Sequence, residues 1–127
     1  MSSKFQKENL VNRAFELLKY SIEFLQHYPK SHKFQLGDRI QNQLSDLLET
    51  YIRAFYSPKQ EKNKLLREAN VLIEIIRHYV RLSFQLKLIN AKRYASLAEE
   101  LDEMGRMTGA WINFNRKSMP EESSLKE

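Results

Sequence analysis

The chain has 127 residues, 42% hydrophobic and 29% charged, which suits one soluble-type domain with a real core and leaves no room for two. No cysteine is present, which excludes disulfides and thiolate metal sites and fits a cytoplasmic setting. The balance of 21 basic to 16 acidic residues gives a net charge of +5 and points towards a polyanionic partner. No apolar run reaches the ~20 residues of a membrane span, and Met1-Ser-Ser-Lys-Phe-Gln-Lys-Glu carries no apolar region of the kind a signal peptide needs. Only three glycines and three prolines interrupt a sequence rich in Leu, Lys, Glu and Gln, so helix is expected throughout.

The first helix is predicted from Lys4 to His27. Leu10, Ala14, Leu17, Leu18, Ile22 and Leu25 recur at three- and four-residue steps and share a face. Pro29 stops it by pushing the preceding residue out of the α region, leaving Tyr28-Pro-Lys-Ser-His-Lys33 as a connection.

The second helix starts near Phe34 or Gly37 and runs to Tyr56, with Leu36, Ile40, Leu44, Leu47, Leu48, Tyr51, Ile52 and Phe55 as its stripe. Ser57 is placed to cap the third helix, with Pro58 at its first position. That helix is predicted from Lys59 to Ile89 around Leu65, Ala69, Leu72, Ile73, Ile76, Val80, Ser83 and Leu86.

Asn90 is the expected N-cap of the fourth helix, which continues to Asn115 with Tyr94, Leu97, Leu101, Met104, Thr108, Trp111 and Ile112 inward. Residues 116–127 lose the periodicity and read as a disordered tail, so the domain is 1–115. Four helices joined by short turns predict an all-α, antiparallel up-down-up-down four-helix bundle.

Chemistry is sparse. Glu74 and His78 lie four apart, which ordinary helix pairing explains, and Glu74-Ile-Ile-Arg77 puts Arg where a di-iron bundle needs His. No nucleophile elbow, phosphate loop or dinucleotide fingerprint occurs. Glu99, Glu100, Asp102 and Glu103 point away from the apolar stripe as a solvated acidic run. No enzyme, cofactor or metal site is expected.

The cations carry more. Arg67, Arg77 and Arg81 fall within roughly 80° of arc at 100° per residue, a strip suited to phosphate because each guanidinium can donate two hydrogen bonds at once. Tyr79 lies near enough to offer stacking. The plainer reading is a charged outer face that keeps a bundle soluble, with Glu74 in the same arc. Lys30-Ser-His32-Lys33 with Arg39, and Arg116-Lys117, are further basic clusters. Arg106 is expected to pair with Asp102 at i,i+4 or to make a subunit contact.

Phe24, Phe84 and Phe114 look surplus to one core and suggest self-association. Gly105 and Gly109 each cost about 1 kcal/mol in a helix relative to alanine, and close approach of another helix, within the bundle or between subunits, is the expected reason.

The order of elements, the Tyr28-Pro29-Lys30 turn, the Arg77-x-x-x-Arg81 spacing and the closing Gly105-Arg106-x-x-Gly109-x-Trp111-Ile112 resemble the accessory variability determinant (Avd) proteins of diversity-generating retroelements. The likeness runs from helix one to Asn115 and departs at Phe34-Gln-Leu-Gly37-Asp38, so no residue of helix two is carried over. It implies a barrel-like homopentamer of four-helix bundles. It implies a non-catalytic protein that binds the element's reverse transcriptase and nucleic acid, template RNA or DNA, and supports mutagenic copying. On that basis Arg77 and Arg81, with Lys30 and Arg106 beside them, are candidate contacts to RNA or the polymerase, and Arg67 joins them through the strip. The rival family is the four-helix proteins encoded in rRNA intervening sequences, or a structural oligomer with no polymerase partner.

Overall fold

The structure, a computed structural model, describes residues 2–118, with side chains from Asn9 onward. Four long helices carry the described chain, with no strand among those residues: α1 (Ser2–Leu25), α2 (Asp38–Tyr56), α3 (Lys59–Gln85) and α4 (Ala91–Lys117). Each packs against the next, and α1 also meets α4, closing the bundle around one core. The expected disordered tail falls largely on residues 119–127, outside the described residues. Arg116 and Lys117 extend α4 two residues past the predicted end, and their cations complement the helix dipole there.

The buried face of α1 is Leu10, Ala14, Leu17, Ser21, Phe24, Leu25 and, past its end, Tyr28. This corrects two expectations. Ile22 turns outward, and Phe24 is core rather than surplus, because the true stripe advances by three or four residues through Ser21. Tyr20, Phe24 and Tyr28 form a ladder of tilted rings, and Arg93 of α4 lays its guanidinium over Phe24, 4.9 Å from the ring centre.

The connection after Pro29 is not a loop. Lys30–His32 forms an α turn and Lys33–Gly37 a π turn leading directly into α2. Gly37 is buried there, and a Cβ on it would meet only ordinary contacts, the nearest 3.7 Å away on Tyr28.

Ser57 does not cap α3: its hydroxyl donates back to the Arg53 carbonyl at 2.6 Å. The junction is held instead by Lys62 of α3. Its buried ammonium donates to the Ala54 and Phe55 carbonyls at 2.8 and 3.0 Å, satisfying the open end of α2.

α3 stops at Gln85, four residues before the predicted Ile89. Leu88 N–H donates to Ser83 O and Lys87 N–H to Phe84 O, both at 2.9 Å, the paired bonds of a Schellman motif. The left-handed residue this motif needs is Lys87, at φ 64°. Leu86 is therefore exposed rather than core. Phe84, also not surplus, stacks on Tyr94 with centroids 4.6 Å apart. Asn90 caps α4 as expected, its side chain accepting from Arg93 N–H at 2.8 Å.

On α4 the core face is Leu97, Leu101, Met104, Met107, Thr108, Trp111 and Asn115. Thr108 donates to the Met104 carbonyl at 2.7 Å, which uses its one hydroxyl hydrogen. Tyr51 of α2 must then be the donor in the 2.6 Å Tyr51–Thr108 contact. Burial pushes the Tyr51 phenol up to about 12, against the opposing pull of the Thr108 hydrogen bond.

Candidate nucleic-acid interface

The five cations picked from sequence do not form one site. Arg77 is half-spent on structure: it pairs with Asp102 across the α3–α4 boundary and with Glu74 at 3.5 Å on its own helix. Two carboxylates offset its charge, so its first role is to tie α3 to α4. Glu74 also holds His78, whose ring nitrogen lies 2.8 Å from the Glu74 carbonyl. Arg106 does not pair with Asp102. It bonds Glu103 at i,i+3, Nε to Oε1 at 3.0 Å, and this hydrogen bond holds the Glu103 carboxyl below its usual range.

Arg67 and Arg81 are exposed and make no ion pair among the described residues. Fourteen residues separate them, about 21 Å along α3. Arg67 stands in the first third of α3, nearer the α2–α3 turn, whereas Arg81 lies near the opposite end, where the α1–α2 and α3–α4 turns meet.

Those two turns are clasped by a buried hydrogen bond, Tyr28 Oη donating to Ser83 Oγ at 2.8 Å. Burial raises the Tyr28 phenol, keeping it protonated as the donor, while Ser83 and the nearby Arg93 charge pull the other way. The clasp gathers Lys30, Lys33, Arg81, Lys87 and Lys92 at one end of the molecule, all exposed. None makes an ion pair among the described residues, in contrast to Arg77 and Arg106.

Lys87 and Lys92 are not among the residues that the sequence singles out. The apolar run Leu86-Lys87-Leu88-Ile89 reads as more helix, which hides the turn. The signal that reveals it is Asn90: an N-cap there requires α3 to end several residues earlier. Lys87 also occupies a backbone conformation that favours glycine, so a lysine stands there at a conformational cost.

For Gly105 and Gly109 the within-bundle half of the expectation fails. A Cβ added at either would meet nothing within 4 Å, so no helix of the same bundle approaches them closely. The closing motif faces two ways, with Thr108 and Trp111 fully buried and the glycines on the open side.

Among the described residues no three His, Asp or Glu side chains gather as a metal-binding set, and no helix is long and apolar enough to cross a membrane. Comparison with curated proteins and with solved structures finds no match. The model of the bAvd-like family does match, over residues 9–115, from the first described side chain to the last buried residue of α4. With that span and this all-helical bundle, the chain belongs to the bAvd-like family, accessory and non-catalytic proteins of diversity-generating retroelements.

Proposed function

We propose that this protein is an accessory subunit that binds the reverse transcriptase and template RNA of a diversity-generating retroelement and supports mutagenic reverse transcription from the cytoplasm. The observation that carries this reading is the family match over residues 9–115. The basic end supports the RNA half of it: five exposed cations, with no carboxylate partner among the described residues, present their charge to a polyanion. The protein works as a homopentameric ring, in which a charge of +5 per copy sums to a strong positive field. Arg81, Lys30, Lys33, Lys87 and Lys92 contact phosphate, Arg67 extends the path along α3, and Arg77 and Arg106 contribute through what their carboxylate pairs leave.

The test is RNA binding by fluorescence anisotropy over a salt series. Lys30→Ala with Arg81→Ala and Lys87→Gly should lower affinity at least tenfold. It should also flatten the salt dependence by roughly 0.7–0.9 in log–log slope for each phosphate that the variant no longer neutralises. Helicity should be retained, since Lys87→Gly relieves the left-handed position. An unchanged affinity and slope would remove this end from the interface.

A further inference from the structure

The outer seam between α1 and α2 is apolar from Val11 to Ile22 on α1 and from Leu48 to Tyr56 on α2. On α1, Val11, Phe15, Leu18 and Ile22 recur at steps of four, three and four, turned about 100° from the core stripe. On α2, Leu48, Ile52 and Phe55 do the same, with Tyr56 at the end. The two stripes meet: Val11, Asn12, Ile52, Phe55 and Tyr56 line one pocket of about 470 Å³. Phe15 is 52% exposed, Ile22 39%, Ile52 38% and Tyr56 80%. At aromatic side-chain areas of 150–250 Å², these residues and their half-buried neighbours present about 500 Å² of apolar surface. Adding the rim of Asn12, Gln41 and Ser45 brings the face towards the roughly 800 Å² that each partner contributes to a standard interface.

Charge distinguishes this seam from the other three. The α1–α4 seam holds Arg13, bonded to Glu100 at 2.9 Å, with Glu16, Glu99 and Glu103. The α2–α3 seam holds Asp46, Glu49, Arg53 and Glu68. Arg77 and Asp102 bridge α3 and α4. The pocket between α1 and α2 is lined by no charged residue, and the one cation beside it on α1, Lys19, is offset by Glu16 at 3.0 Å. Copies of a chain with net charge +5 repel one another, and the repulsion is least where the surfaces brought together are neutral and apolar.

We propose that the outer α1–α2 seam is the surface on which a second copy of this chain docks. This rests on the homo-oligomeric reading above and adds the surface to it. In a ring the contact is heterologous, so each copy offers its seam to a different face of its neighbour.

The experiment is the absolute mass of the full chain by light scattering, after nuclease treatment and a high-salt wash. The unsubstituted protein should give a multiple of 15.2 kDa. Phe15→Glu with Ile52→Glu should fall to one protomer while keeping its helical circular dichroism. If the double glutamate loses helicity, Phe15→Gln with Ile52→Gln replaces it and should give the same fall in mass. A double variant that keeps the oligomer mass overturns the seam and leaves the homo-oligomer standing. A single-protomer mass for the unsubstituted chain overturns both. Loss of reverse transcriptase binding by the double variant without any change of mass would assign the seam to the polymerase and overturn its use by a second copy.

Discussion

The closing segment of α4 presents two sides that obey different rules. Inward, Met104, Met107, Thr108 and Trp111 are buried, and Thr108 is tied into a hydrogen-bonded chain from Tyr51 to the Met104 carbonyl. Outward, Gly105 and Gly109 face open space. The inner side is closed to solvent. The outer side carries two residues that weaken the helix and gain nothing within the protomer. A single motif therefore holds a packing requirement and an open face side by side, and the open face is the half that stability does not account for.

The largest test of this contrast is Trp111→Ala, which leaves a cavity in the buried core. It should cost about 3–5 kcal/mol in denaturant unfolding. A loss below about 1 kcal/mol would mean that the inner side is not the packing element described.

Next is the Tyr51 phenol, whose folded value of about 12 lies above its ordinary 10.0. A raised value favours the protonated form in the fold. The associated stability is intact below pH 10 and is lost as pH rises from about 10 to 12. At 1.36 kcal/mol per unit this amounts to the order of 2–3 kcal/mol. Tyr51→Phe should remove most of that alkaline decline, and should also cost stability at pH 7 because Thr108 loses a donor. A decline of the same steepness in the variant would place its origin elsewhere.

The smallest effect is on the outer side. Gly105→Ala and Gly109→Ala should each raise the stability of the protomer by about 0.5–1 kcal/mol, since alanine suits a helix better and meets no neighbour. If either lowers the mass of the oligomer while raising protomer stability, the glycines serve a contact between copies. A loss of stability would contradict the open space seen around them.

The bundle was legible in sequence because its apolar spacing is regular and its strongest cap, Asn90, is local chemistry. Where phase or tertiary context decided, the reading slipped. Ser21 replaced Ile22 in the core because a polar residue small enough to fit is invisible to a hydrophobic count. Lys62 reads as a solvated charge, and only the neighbouring end of α2 reveals it as a cap. The arginine strip was real as an arc on α3. Yet helix geometry says nothing about a carboxylate on another helix, and Asp102 is what separates Arg77 from Arg67 and Arg81, which make no ion pair among the described residues. The basic end was hidden for the same reason: its lysines come from two turns brought together by contacts between distant side chains, the Tyr28–Ser83 bond among them.

The Lys62 clamp has a consequence for the cost of closing the bundle. It joins the end of α2 to the start of α3 across only eight residues, whereas the Arg13–Glu100 contact between α1 and α4 spans 87. Loop-closure entropy grows with the logarithm of that separation, so the α2–α3 hairpin closes at the lower entropic cost. By this measure the α1–α4 seam, which closes across most of the chain, is the costliest contact of the bundle to form.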